Sequence, residues 1–179
     1  MANENRKRTT LTLEAVAEQA RETTLRFGYH VPTLIVEDGL QTLFTQIEKM
    51  AEAHEARLVQ MYVRGIMIAR TGVVGVLQQA FFISEAWMST GTSSDTGFIP
   101  PSKHPQRKEV LIVARYAVRS VTQDGVVFEM KRDRSGRLAG MEEQDVGQDV
   151  SGSAFRSPLM EAFVAGLLGS LPGANEQSH

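Results

Sequence analysis

Residues 31–47 read VPTLIVEDGLQTLFTQI, and this stretch decides the fold class of the chain. Its first half is rich in β-branched residues, which pack well on a pleated sheet. Asp38-Gly39 is a pair that two-residue type I′ loops prefer, because both loop positions need a positive φ. The stretch therefore predicts a β-hairpin at 31–47. A helix that begins at Leu40 is the alternative, since the apolar residues of the second half also have helical spacing.

Further segments along the chain predict more strands of the same antiparallel sheet. A long strand is expected at 73–88, where Val, Phe and Ile are abundant and Gly75 offers a point for a bulge. Alternating side chains predict a strand at 109–118, and the Asp-Gly pair after it predicts a turn into a strand at 126–132. A short edge strand near Leu138 could follow. The result is a largely antiparallel sheet of about five strands.

Three helices are expected beside the sheet, which makes the chain an α+β protein. They lie near 12–27, 48–70 and 158–169, where apolar residues recur with a helical period. Residues that cap helix N-termini precede the first and the last of them. Gly65 lies on the apolar stripe of the middle helix, at a cost of about 1 kcal/mol relative to alanine. A close approach of another backbone is one expected reason for this glycine.

The composition is that of an ordinary folded domain with little net charge. The 179 residues include 42% hydrophobic and 22% charged residues, and the formal charge is -2. Nucleic acid is therefore not expected as a partner, and neither is an anionic membrane surface. No stretch reaches the ~18 uninterrupted apolar residues of a membrane span, and no secretory signal is visible. The absence of cysteine excludes disulfides and thiol catalysis, and a cytoplasmic location is expected.

Within this single expected domain, residues 1–10 and 172–179 are predicted to be disordered tails. Residues 89–108 and 140–157 are predicted to be loops, because Ser, Gly, Pro and charged residues dominate them. The four histidines are widely separated along the chain, so no metal site is expected. No nucleotide-binding fingerprint is present, and no cofactor is predicted.

Asp124 and Glu129-Met130-Lys131 resemble the acidic-x-Lys half of the PD-(D/E)xK nuclease family. In that family the carboxylates hold Mg²⁺ and the lysine polarises the scissile phosphate. The resemblance covers only residues 124–131. It implies Asp124 and Glu129 as metal ligands and Lys131 as the electrophilic helper. The alternative is the solvated face of an ordinary strand, since alternation places Glu129 and Lys131 on the same side.

A basic loop at 100–108 is the second candidate for a site. It carries Lys103, His104, Arg107 and Lys108 close together. Arg107 could grip a phosphate or carboxylate with a bidentate fork, and Lys103 could add a point charge. An anionic small ligand could therefore bind here. The alternative is a basic loop that faces only solvent.

Glu85 and Trp87 form the third candidate, where the long strand enters the following loop. Because they are two residues apart in a strand, they point to the same face, so a carboxylate would lie beside an indole. Such a pair could bind a ligand cation, or Glu85 could act as a base with a raised pKa. The alternative is that Trp87 packs under a helix and Glu85 pairs with an arginine.

No catalytic signature emerges from these patterns, and three hypotheses about function remain. The first is a binding or assembly module that could form a homo-oligomer, because the helices bear methionines and the sheet offers edge strands. The second is a small-molecule enzyme or sensor whose site joins Glu85 and Trp87 to the loop 103–108. The third is a Mg²⁺-dependent nuclease that uses the acidic and lysine residues of 124–131.

Overall fold

A computed structural model describes residues 10–89, 103–145 and 155–171 of the chain. Its helices are α1 (Leu13–Phe27), α2 (His54–Arg70) and α3 (Pro158–Leu168). Its strands are β1 (Thr33–Glu37), β2 (Thr42–Gln46), β3 (Gln79–Met88), β4 (Lys108–Ala117), β5 (Thr122–Arg132) and β6 (Leu138–Gln144). The expected α+β class is confirmed, with six strands where about five were expected.

All six strands join in one antiparallel sheet with the order β2-β1-β3-β4-β5-β6. Helix α1 lies on one face of this sheet, and α2 and α3 lie on the other. We name these the α1 face and the α2/α3 face. Each face has its own buried cluster, so the molecule has three layers with the sheet in the middle.

The core on the α1 face joins α1 to the middle strands. Its members include Leu13, Ala17, Phe81, Leu111 and Phe128. Thr12 caps this helix by accepting a 3.2 Å hydrogen bond from the backbone N–H of Ala15, and Gly28 ends it with a φ of 82°. The helix predicted at 12–27 is thereby confirmed, together with the cap and the stop that define it.

The core on the α2/α3 face depends on a close crossing of the two helices. A Cβ on Gly65 would lie against the carbonyl oxygen of Phe163 and 2.6 Å from the backbone nitrogen of Leu167. A Cβ on Gly166 would in turn collide with the backbone of Tyr62. Gly65 therefore serves the close backbone approach that its place on the apolar stripe indicated.

The hairpin predicted at 31–47 is present as β1 and β2, so the alternative helix from Leu40 is wrong. The loop is wider than a two-residue type I′ turn, and only Gly39 has a positive φ. The carboxylate of Asp38 accepts hydrogen bonds from the backbone N–H groups of Leu40 and Gln41, both at 2.8 Å. Aspartate side chains favour such loops because they replace a backbone acceptor.

The turn predicted at the second Asp-Gly pair is wrong. Gly125 lies inside β5 opposite Ala114, and the chain reverses instead at 118–121. Val121 has a φ of 51° at this turn, a conformation that β-branched residues rarely adopt. The ring of Phe155 packs against Gly125 within the strand. A Cβ at this position would collide with that ring, which favours a glycine here.

Two predicted elements begin later than expected, and one predicted loop contains a strand. Strand β3 begins at Gln79 rather than at residue 73. Helix α2 begins at His54 rather than at residue 48, because side chains of its own first turns bind the preceding segment; Gln60 donates to the carbonyl of Lys49 at 2.7 Å. Strand β6 occupies part of the loop predicted at 140–157. Its polar composition suits an edge strand with one solvated side.

The third helix agrees with its predicted range, and Ser157 caps it by accepting a 3.3 Å hydrogen bond from the N–H of Met160. Among the described residues, no helix is both long enough and apolar enough to cross a bilayer. Nearly all of the predicted tails, most of the predicted loop at 89–108, and residues 146–154 of the predicted loop at 140–157 lie outside the described residues.

Candidate functional site

The sheet end formed by the last residues of β3 and the first residues of β4 carries most of the predicted site residues. Glu85 pairs with Leu111 and Trp87 pairs with Glu109 in the antiparallel register. Because cross-strand partners share a face, Glu85, Trp87 and Glu109 all project on the α1 face. The predicted common face of Glu85 and Trp87 is thereby confirmed.

A cluster of charged groups surrounds Glu85 on this face. The guanidinium of Arg132 binds both carboxylate oxygens of Glu109, at 2.6 and 2.7 Å, and also reaches the carbonyl of Gly28. Glu85 accepts a 2.6 Å hydrogen bond from the backbone N–H of His30. Burial raises the pKa of Glu85 and the negative charge of Glu109 raises it further, whereas the His30 N–H and Arg132 oppose the shift.

Arg107 of the basic loop contacts this end of the sheet on the α1 face. The guanidinium carbon of Arg107 lies 4.7 Å from the centre of the Trp87 ring, within cation–π range. Trp87 remains 44% exposed, so it is not packed under a helix. His104 accepts a 3.1 Å hydrogen bond at Nδ1 from the N–H of Gln106, and Lys103 is exposed. The structure thus brings Arg107 to Trp87.

A pocket of about 420 Å³ opens at the same sheet end, on the α2/α3 face. It lies between the sheet, the first turns of α2 and the residues that begin α3. Its walls are mostly apolar, with side chains such as Pro32, Met50, Phe82, Ile112 and Leu159. Sites for small molecules in proteins are typically concave, largely apolar and about 300–1,000 Å³ in volume. The pocket fits that description.

Several polar side chains border this pocket, and His30 is the most unusual. Nδ1 of His30 is buried and finds no hydrogen-bond partner among the described residues. Burial lowers the pKa of His30, and the backbone of Val31 partly opposes the shift. The imidazole is therefore mostly neutral near pH 7, when it can donate from one ring nitrogen and accept at the other. A buried polar atom without a partner costs roughly 1–3 kcal/mol, so it calls for a functional or structural reason.

Arg57 gives the pocket a fixed positive charge. Its Nε donates a 2.6 Å hydrogen bond to the carbonyl of Ala51, which orients the guanidinium plane. Arg156 also borders the pocket and pairs with Glu161 at 2.7 Å. An arginine held in this way can offer its Nη edge to a carboxylate or phosphate.

The first turns of two helices add to the positive character of the pocket. Helix α2 begins with His54 after Ala53, whose side chain makes no cap hydrogen bond. At the start of α3, Ser157 lines the pocket. Backbone N–H groups at helix N-termini carry partial positive charge that favours anions nearby. Ser84 of β3 adds a hydroxyl group to the wall of the pocket that the sheet forms.

The structure separates Asp124 from the other two nuclease-like residues. Asp124 pairs with Arg115 in a salt bridge on the α1 face, whereas Glu129 lies on the α2/α3 face opposite Val110. Glu129 is held between Lys131 and Lys108, with Lys108 Nζ at 2.8 Å. These two ammonium groups lower the pKa of Glu129. Within the described residues, no group of three or more His, Asp or Glu side chains could hold a metal ion.

Sequence reasoning missed the pocket residues His30, His54, Arg57 and Arg156. They come from three separate segments that meet only in the folded chain, since His54 and Arg57 share the first turn of α2, and none belongs to a motif. The one signal in the sequence was the place of Arg156, two residues before the predicted start of the last helix, where anions are favoured. No family model matches the chain, and the comparisons with curated proteins and with solved structures find no similar protein.

Proposed function

We propose that the protein is a binding module for a small anionic ligand with an apolar body, held in the pocket on the α2/α3 face. One observation carries the proposal: His30 lines this pocket, and its buried Nδ1 has no hydrogen-bond partner among the described residues. A small rotation of the imidazole would bring this nitrogen to a ligand oxygen or N–H group in the pocket, which would satisfy it and recover the cost of its burial. The negative charge of the ligand would face the oriented guanidinium of Arg57.

The walls of the pocket define the rest of the ligand. Phe82, Ile112 and Leu159 offer apolar contact to a ring or a short hydrocarbon chain. A volume of about 420 Å³ suits a small organic molecule rather than a polymer. The proposed chemistry is therefore one carboxylate or phosphate attached to a compact apolar group. We place this binding in the cytoplasm, in agreement with the absence of cysteine.

Calorimetric titration with three probes tests this proposal. Phenyl phosphate combines both features, inorganic phosphate lacks the apolar body, and phenol lacks the charge. Phenyl phosphate is expected to bind most tightly, and Arg57→Gln is expected to weaken it at least about tenfold. Arg57→Lys keeps the charge without the fork and should weaken it less. Arg21→Gln is the matched control, since Arg21 pairs with Glu18 on α1, outside the pocket.

The proposal fails if phenyl phosphate and phenol bind equally, or if Arg57→Gln and Arg21→Gln have the same affinity for phenyl phosphate. The unfolding curve of each variant must be measured beside its affinity. This control is needed because Arg57 also holds the backbone of Ala51. A loss of binding at unchanged stability would show that the guanidinium contacts the ligand.

A small-molecule enzyme or sensor centred on the α1 face is the second candidate. It is favoured by the stacking of Arg107 on Trp87 and by the raised pKa of the neighbouring Glu85. Trp87 is the sole tryptophan of the chain, so its fluorescence reports on this face alone. A ligand that changes Trp87 emission with an affinity unaffected by Arg57→Gln would favour this second candidate over the pocket.

A further inference from the structure

The outward side of α2 is apolar, which is unusual for a helix that packs on a sheet with its other side. Val59, Tyr62, Val63 and Met67 are exposed by 62%, 45%, 45% and 63%. Helices at the surface of a globular protein normally present charged and polar residues to solvent. Exposed apolar residues that adjoin one another mark interaction surfaces, whereas single ones need no explanation.

These residues form one continuous stripe. A helix advances by about 100° per residue, so Val59 and Val63 point in nearly the same direction, one turn apart. The core-facing side of α2 lies opposite, with Met61 and Ile68 buried against the sheet and α3. The stripe is therefore a second apolar face of α2, distinct from the one that the fold itself covers. We call it the outer stripe.

Two opposite charges lie at the ends of the outer stripe. Glu55 is exposed in the first turn of α2, and Arg70 is exposed in its last turn. Both point in the direction of the stripe, since they are separated from Val59 by four and eleven residues. Val63 lies near the middle, eight residues after Glu55 and seven before Arg70. The stripe thus has a negative end, an apolar centre and a positive end.

We propose that the outer stripe packs against the same stripe of a second copy of the chain, with the two α2 helices antiparallel. Two-fold symmetric contacts use one patch on both subunits, so the patch must be complementary to itself. An antiparallel pair centred on Val63 meets this condition. It places Glu55 of each subunit beside Arg70 of the other, and Val59 beside Met67. A parallel pair would instead oppose like charges at both ends.

The charge pattern also favours a second copy over a membrane surface. Helices that lie on anionic membranes carry lysine and arginine along the polar border of their apolar side. The outer stripe of α2 has an acidic residue, Glu55, at one end and a basic residue, Arg70, at the other, and the whole chain carries a formal charge of -2. A second copy of the chain therefore matches the charges of the outer stripe better than an anionic membrane does.

Sedimentation velocity over a range of concentrations tests the proposal on the full chain. The wild-type chain is expected to form a dimer. Val63→Glu places two carboxylates at the symmetry axis and should raise the dissociation constant of the dimer at least about tenfold. Val121→Glu is the matched control, because Val121 is exposed in the turn between β4 and β5, away from α2. This control should leave the dimer unchanged.

A charge exchange tests the antiparallel arrangement. Glu55→Arg alone and Arg70→Glu alone should each weaken the dimer, whereas the double variant should restore it. Failure of the double variant to recover would overturn the antiparallel register. A wild-type chain that remains monomeric up to about 1 mM would overturn the dimer itself. Binding of a monomeric chain to vesicles of anionic phospholipid would do the same, since it would assign the stripe to a membrane.

Discussion

The backbone N–H of His30 donates a 2.6 Å hydrogen bond to Oε1 of Glu85 at the end of the sheet. This bond fixes the position of the His30 backbone between the two faces, beside the last residues of β3. The imidazole of His30 is less well satisfied, since its Nδ1 is buried without a hydrogen-bond partner among the described residues. The backbone of His30 therefore holds the loop, and our proposal assigns its side chain to the ligand.

Replacement of this imidazole should separate stability from function. His30→Leu keeps a similar volume and removes the unsatisfied nitrogen, so the free energy of unfolding should rise by about 1 kcal/mol. The affinity for phenyl phosphate should fall in the same variant. Urea denaturation measures the first quantity and calorimetric titration the second. A variant that is less stable and binds normally would show that His30 is only a packing residue.

The raised pKa of Glu85 predicts a pH-dependent effect of Glu85→Gln. A carboxyl group whose pKa is higher in the folded state than in the unfolded state destabilises the fold as the pH rises through the folded pKa. Glutamine cannot ionise and can still accept the hydrogen bond from His30. The variant should therefore be more stable than the wild type near pH 7, with the difference shrinking toward about pH 4.

Denaturation curves at several pH values measure this difference. A variant whose relative stability does not change with pH would contradict the shift of Glu85. A variant that becomes less stable than the wild type near pH 7 would show that the ionised carboxylate, attracted to Arg132, is the favoured form.

The crossing of α2 and α3 predicts a strong effect of one added methyl group. Gly65→Ala would force a Cβ into the backbone of α3 at Phe163 and Leu167. Because backbone atoms cannot move aside as a flexible side chain can, a loss of about 2 kcal/mol or more is expected. Gly140→Ala is the control: a Cβ on Gly140, in edge strand β6, meets nothing within 4 Å. Thermal unfolding of both variants would refute this account if the two losses were equal.

Local patterns in the sequence predicted the elements that depend on local chemistry. The cap and stop of α1 and the existence of the first hairpin follow from residues within a few positions of each element. The turn predicted at the second Asp-Gly pair is absent, because a contact with a residue distant in the sequence acts there. Gly125 stays in the strand, where the ring of Phe155 occupies the space of a side chain. The predicted start of β3 at residue 73 was wrong for a similar reason. The N–H of Gly75 donates a 3.0 Å hydrogen bond to the carboxylate of Asp38 instead of joining the sheet.

The candidate site could be predicted in part. The alternation rule placed Glu85 and Trp87 on one face, and the hairpin geometry of β3 and β4 brings Arg107 to the indole. The pocket could not be predicted, because it depends on how the starts of α2 and α3 pack beside the loop before β1. The packing of α2 against α3 depends on the close crossing at Gly65. The sequence indicated a close backbone approach at this glycine, but it did not show that α3 is the approaching element.

Nitrogen-15 NMR of the His30 ring measures the central claim most directly. The proposal predicts that phenyl phosphate shifts the Nδ1 resonance of His30, that Arg57→Gln weakens this response, and that the His104 ring is unaffected. A His30 ring signal that does not move at saturating phenyl phosphate, while the ligand binds elsewhere or not at all, would contradict the proposed pocket.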